Sequence, residues 1–362
     1  MKKSLLMLLP LVAMLAACGN GGAEKQYLKN WNDCDALKAL KAYVEDVTDL
    51  HSQNYIPEAD RIATFDMDGT FVGELYPSYF EYNMLEYRVL EDPTYKDLAP
   101  VDVVETAMDI RNFVRNGVPL PRYNEEYGFD IKHALASAKA YSGMTIKQFD
   151  DYVKDYAKTA ANGFTGMTYG ESFYKPMLEV FDYLEANRFT YYVVSGSDRF
   201  ICRALVDSLK IPANRVIGMD VELKASEQGD KDGVNYTMSP EESLVRTDKL
   251  LIKNLKTNKV KQIAQEIGKV PVLSFGNSGG DSAMHNYALG NKTYKSAAFM
   301  LVADDDARDH AKKYGEDDRA FHERVEGLNN DWKKAGYNVI SMKDDFKTIY
   351  GEGVVKTDFI FN

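Results

Sequence analysis

The chain has 362 residues, 45% of them hydrophobic and 27% charged, with a formal net charge of −11 at pH 7. That acidic balance argues against electrostatic binding of nucleic acid. Three cysteines and five histidines, scattered along the chain, give no Cys/His metal-site spacing.

Lys2-Lys3, an apolar stretch from Leu5 to Met14, and Leu15-Ala16-Ala17-Cys18 read as a signal segment over residues 1–17. The apolar stretch falls short of the roughly 20 residues of a membrane span. Small residues directly before Cys18 resemble a bacterial lipobox, and the tether Gly19-Asn20-Gly21-Gly22 follows. Cys18 is therefore the expected lipidation site, where several acyl chains would give a stable anchor. The expected location is the cell envelope, with the membrane met only through that lipid. The alternative is an ordinary secretory peptide in which Cys18 is incidental. Cleavage would remove Lys2 and Lys3 and no acidic residue, leaving 42 basic against 55 acidic side chains, or −13. Cys34 and Cys202 remain; Cys202 falls in a predicted helix, where a buried thiol acts as a small apolar side chain, so two free thiols are expected.

After the tether, Leu37, Leu40, Val44 and Val47 recur at helical spacing within Ala36–Leu50. Residues 18–54 thus form a tether and an amphipathic helix. From Tyr55 a core begins, with a short strand Arg61–Phe65 running into Phe65-Asp66-Met67-Asp68-Gly69-Thr70. Residues 76–176 then interrupt it with predicted helices Pro77–Glu91, Pro100–Asn116, Asp130–Tyr141 and Thr145–Ala161. An insertion directly after this strand is expected to act as a cap that excludes water. It holds 12 of the chain's 24 tyrosines, which read as filling for a thin helical layer, or as a cage for a cationic group. From Met177 strand and helix alternate, the pattern of a doubly wound parallel α/β sheet. The core is thus 55–75 with 177–362. Residues 218–250 read as a hairpin with a loop, and Tyr337–Ser341 as a last strand after a helix around Asp331.

Four strings along this core carry chemistry. Asp66 and Asp68, two apart at a strand's C-terminal end, sit where open α/β sheets bind ligands. A carboxylate there can attack phosphorus. Asp-Gly also marks ordinary turns, so the string is only suggestive by itself. Tyr191-Tyr192-Val193-Val194-Ser195-Gly196-Ser197 is a buried strand that presents the Ser195 hydroxyl and the backbone amides from Gly196 onward to an anion; a plain strand and turn is the commoner meaning. Asn254 to Ala264 starts a helix rich in lysine, a charge that opposes the macrodipole in a first turn. Val272-Leu273-Ser274-Phe275-Gly276-Asn277-Ser278-Gly279-Gly280-Asp281 is another strand opening into a loop with oxygen ligands suited to Mg²⁺.

Taken in order, FDMDGT, VVSGS, a helix-start lysine and FGNSGGD resemble the motifs of the haloacid dehalogenase superfamily of phosphohydrolases. The similarity runs over roughly residues 61–350 and is nearest to the branch of the phosphoserine phosphatases. It implies a Rossmann-type core with an inserted helical cap domain. It further implies Mg²⁺-dependent hydrolysis of a small phosphomonoester through an aspartyl phosphate. By this resemblance Asp66 is the nucleophile and Asp68 the general acid/base. Ser195, with Gly196 and Asn277, binds phosphate. Asp66, Asp68 (through its backbone carbonyl) and Asp281 hold the metal. Lys259 matches the motif lysine best, with Lys256 the runner-up. Many relatives carry Asp where Asn277 stands, so this site has one charge fewer near the metal. Glu74 matches a glutamate that faces a substrate amine or cation, which points to phosphoserine or phosphocholine; a surface-loop glutamate is the competing reading. A phosphomutase or phosphotransferase on the same fold, and a ligand-binding lipoprotein without catalysis, are the rival functions.

Overall fold

The computed structural model describes residues 27–74 and 77–361; the signal segment and Cys18 lie outside the described residues. The strands are β1 (Ile62–Phe65), β2 (Phe164–Thr165), β3 (Thr190–Asp198), β4 (Val216–Ala225), β5 (Leu244–Ile252), β6 (Leu273–Gly276), β7 (Ala297–Val302), β8 (Asn338–Ser341) and β9 (Val355–Lys356). Seven of them form one sheet in the order β5-β4-β3-β1-β6-β7-β8. All neighbours pair parallel except β5, which runs antiparallel to β4. β2 and β9 make a separate antiparallel pair. β1 sits at the centre and is buried along its whole length, as a parallel strand covered on both faces must be.

The helices are α1 (Asp35–Thr48), α2 (Phe80–Leu90), α3 (Val101–Asn116), α4 (Phe129–Ala140), α5 (Ile146–Ala157), α6 (Lys175–Ala186), α7 (Arg199–Val206), α8 (Thr257–Glu266), α9 (Ser282–Leu289), α10 (Asp318–Lys334) and α11 (Met342–Asp345). Strand alternation divides them between the faces. On one face Phe65, Phe275 and Phe299 lie in register on β1, β6 and β7 and stack ring on ring at 4.2 and 4.9 Å; Phe181 of α6 meets this row edge-on at 4.6 Å. On the other face Val194 and Ile217 pack with Ile263 of α8 and Met284 of α9. Farther along, Ala298 and Met300 meet Leu289 and Trp332 of α9 and α10. Helices therefore cover both faces, and the doubly wound α/β architecture is the one present.

Helices α2–α5 occupy the stretch read as an insertion. α4 lays Ala134 and Ala138 against Met219, Val221 and Leu250 of β4 and β5. The chain before α5 hydrogen-bonds to β5 from Gly143 N to Arg246 O and from Arg246 N to Met144 O, both at 2.9 Å. The Arg246 side chain, fully buried, pairs with Asp198 at 2.6 Å and lies 3.9 Å over the Phe149 ring of α5. The antiparallel hairpin thus gives the helical layer its footing on the core.

Several boundaries differ from the sequence reading. α2 starts at Phe80, three residues late, because Ser78 turns the chain and its carbonyl accepts from Asn83 Nδ2. α5 ends at Ala157, since Ala161 N turns to Met167 O instead of continuing the helix. β3 runs past Ser195 to Asp198 through a register shift against β4. Cys34 and Cys202 are both free, and Cys34 Sγ caps α1 by accepting from Leu37 N.

Candidate active site

The C-terminal ends of β1, β3 and β6 and the loop before α8 converge on one cavity of about 140 Å³. Asp66 and Asp68 follow β1 directly; Asp66 N still bonds to Phe275 O of β6 at 2.9 Å, which fixes the strand's end. Gly69 adopts φ +74°, and a Cβ there would strike the Asn277 amide and the Glu74 carboxylate, which lie across it. Only glycine allows that crossing. At the end of β6, a Cβ on Gly276 would fall 2.6–2.9 Å from the Asp281 side chain; its absence lets Asp281 lean onto the strand.

Lys259, in the first turn of α8 and fully buried, donates to Asp66 Oδ1 and, at 2.7 Å, to Asp281 Oδ1. Lys256 is exposed at the start of the helix with φ +53° and reaches neither carboxylate. Asp281 Oδ2 accepts from Asn277 N and Ser278 N at 3.1 Å each and from Ser278 Oγ at 3.2 Å. Asp68 Oδ2 accepts from Ser197 Oγ at 2.8 Å and from Ser195 Oγ at 3.4 Å, and Ser195 Oγ itself accepts from Ser197 N. Glu74 Oε2 accepts from Asn277 Nδ2 at 3.3 Å. Gly196 lines the cavity beside Leu255. Asp66, Asp68, Glu74, Lys259, Asn277 and Asp281 thus share one cavity, with Ser195 behind Asp68.

The electrostatics are those of crowded acids out of water. Burial, and then the charge of Asp281, raises Asp66. Burial lifts Asp68 to about 6 against the pull of the Ser197 hydrogen bond. Burial, then the charges of Asp68 and Asp66, carries Glu74 to about 8. Burial also acts on Asp281, but the Lys259 ammonium outweighs it and holds Asp281 below the usual carboxylate range. Each raised value marks a carboxylate taken out of water, with other acids close by.

Sequence reasoning missed a second tier. Ser197 is two residues from Ser195, so the strand period places both on one face; that signal was available. Lys253 and Glu81 form a buried pair at 3.1 Å across the cavity, and Glu81 Oε2 also accepts from Asp198 N. Glu81 sits in the aromatic string Phe80-Glu81-Tyr82, where a lone acid on an otherwise buried turn was the only hint. Asn254, fully buried, donates to Ser195 O at 2.9 Å and ties the loop before α8 to β3.

Among the described residues no three His, Cys, Asp or Glu side chains close around a point as a metal cage. Mg²⁺ needs less, holding one or two carboxylates and completing its shell with water and phosphate oxygens. Asp66 and Asp281, drawn to one ammonium at the mouth of adjacent strands, supply the carboxylates for that need. A larger cleft of about 930 Å³ lies between α2, α5 and the C-terminal tail and contains none of these residues.

No protein-family profile matches the chain, and no curated protein matches it. Solved structures do. A conserved protein of unknown function from Anaerococcus prevotii is 15% identical, with 88% of this chain and 94% of that one covered and a TM-score of 0.49. Cytosolic 5′-nucleotidase IIIB bound to cytidine is 13% identical, with 80% and 82% covered and a TM-score of 0.45. A phosphoserine phosphohydrolase-like protein from Francisella tularensis is 12% identical, with 67% and 88% covered and a TM-score of 0.36.

Proposed function

We propose that this chain is a Mg²⁺-dependent phosphomonoesterase of the haloacid dehalogenase type that works through an aspartyl phosphate on Asp66. The observation that carries the reading is the Asp66–Lys259–Asp281 bridge at the ends of adjacent strands, with Asp68 held by two serine hydroxyls beside it. A nucleophile, a proton carrier and a fixed cation meet there in one small cavity.

In the first half-reaction an Asp66 oxygen bonds to phosphorus as the ester P–O bond breaks, and Asp68 gives its proton to the departing alkoxide. In the second, Asp68 takes a proton from water, whose oxygen bonds to phosphorus; inorganic phosphate leaves and the Asp66 carboxylate is restored. A value near 6 suits Asp68 to both roles close to neutrality. Lys259 holds Asp66 and Asp281 in place and offsets charge on the transferring group. Asp66, Asp281 and the Asp68 carbonyl would hold the Mg²⁺, which supplies further charge neutralisation on phosphate oxygens when bound.

The substrate we propose is a small ester with an amino or cationic head, such as phosphoserine or phosphocholine. The acid-rich cavity and the position of Glu74 inside it support this.

Asp66→Asn removes the nucleophile's charge and keeps its shape. Hydrolysis of p-nitrophenyl phosphate in Mg²⁺ should fall by several orders of magnitude, as removal of a covalent nucleophile does elsewhere, with an unchanged circular dichroism spectrum. Substantial turnover by that variant would end the aspartyl-phosphate reading.

A further inference from the structure

Six carboxylates line the catalytic cavity (Asp66, Asp68, Glu74, Glu81, Asp130 and Asp281) against two ammonium groups, Lys253 and Lys259. Lys259 serves Asp66 and Asp281, and Lys253 serves Glu81. Of the other three, Asp68 has its serine hydroxyls and Glu74 its Asn277 amide. Asp130, in the first turn of α4, has no ion-pair or hydrogen-bond partner among the described residues. It is half-buried and faces the cavity from the helical layer, on the wall that also holds Tyr79 and Tyr82. Those two rings pack edge to face at 5.2 Å, and Tyr82 is backed by Phe129 at 5.5 Å and His133 at 4.2 Å.

Water solvates Asp130 while the cavity is wet. A substrate that fills the cavity expels that water, and an ionised carboxylate stripped of water without a counter-charge is strongly unfavourable. A neutral or anionic leaving group therefore carries a penalty here that a cationic one does not. The aromatic faces alongside attract the same kind of charge.

We propose that Asp130, with Tyr79 and Tyr82, is the head-group subsite and selects phosphomonoesters of short amino alcohols whose ammonium group sits against the Asp130 carboxylate. This rests on the phosphatase reading above and adds the residue that sets its substrate class. Glu81 and Lys253 cancel each other and take no part in this choice.

The test compares phosphocholine with 3,3-dimethylbutyl phosphate, its uncharged carbon isostere, in wild type, Asp130→Asn and Asp130→Glu. Wild type should favour phosphocholine in kcat/KM by tenfold or more. Asp130→Asn should lose most of that preference, with a raised KM for phosphocholine and a lowered one for the isostere because no carboxylate is left to dehydrate, and Asp130→Glu should restore part of it. A purely structural role would move both esters together. Equal efficiency on the two esters in wild type, or an unaltered preference in Asp130→Asn, overturns the subsite. If wild type hydrolyses neither ester, the subsite fails where p-nitrophenyl phosphate is still turned over, and the phosphatase reading fails where it is not. The subsite is then judged by calorimetry on the full chain, where phosphocholine binding must weaken at least tenfold in Asp130→Asn and otherwise the subsite fails too.

Discussion

The shorter of the two hydroxyl contacts on the Asp68 carboxylate is the 2.8 Å hydrogen bond from Ser197 Oγ. Burial drives the Asp68 carboxyl upward, and Ser197 is the neighbour that most restrains it. A hydrogen bond to an ionised group contributes about 1.5–3 kcal/mol, so Ser197→Ala should lower kcat by about tenfold or more. The limb of the pH–rate profile that belongs to Asp68 should also move to higher pH, because the ionised form loses a donor. A lowered kcat with the limb unmoved would mean that Ser197 acts through packing alone. Ser195, the hydroxyl singled out in the sequence, stands 3.4 Å from the same oxygen and is the weaker of the two supports for Asp68.

At the scale of elements, the end of β6 depends on an absent side chain. Gly276→Ala puts a methyl group 2.6–2.9 Å from Asp281 Cβ, Cγ and Oδ2. Asp281 must then swing away from Lys259 while the strand itself stays paired with β1 and β7. The expected outcome is a protein of near-normal melting temperature whose activity falls at least tenfold and whose Mg²⁺ requirement rises. Normal Mg²⁺ dependence in the variant would show that Asp281 is displaced without consequence for the metal. Such strand ends were readable in the sequence because β1, β3 and β6 are short apolar runs closed by Gly, Ser and Asp, and their period and breakers agree. The loop before α8 was readable only in part. Lys259 had a family pattern behind it, whereas Lys253 looks like any solvated lysine until the fold carries it 172 positions back to Glu81. Asp130 was equally silent, since an acid in the first turn of a helix is ordinary. What faces it is decided by the packing of α4 on β5, which no local pattern encodes.

For the molecule as a whole, Asp309 ties stability to pH. It is buried, accepts from the Tyr350 hydroxyl at 3.1 Å and from His310 N, and burial lifts it to about 7. An unfolded aspartate titrates near pH 3.9. Between about pH 4 and 7 the folded chain therefore retains a proton that the unfolded chain has released, and stability falls as pH rises through that window. Asp309→Asn keeps the acceptor for Tyr350 and removes the titration. Urea melts should show the variant gaining on wild type at pH 8, by on the order of a few kcal/mol, with little difference at pH 4. An equal change at both values would place the effect in packing.

The parts of the catalytic cavity also come from far apart in the chain. Ser197 reaches Asp68 across 129 positions and Lys259 reaches Asp66 across 193. Each contact closes a long loop, and the entropy of closing it must be spent before either contact returns anything. Half of the sheet cannot hold half of the activity. On the proposed phosphatase reading, turnover would therefore be a readout of cooperative folding. Recovery of activity after dilution from denaturant should lag the first return of helical signal and coincide with burial of the Phe65–Phe275–Phe299 stack.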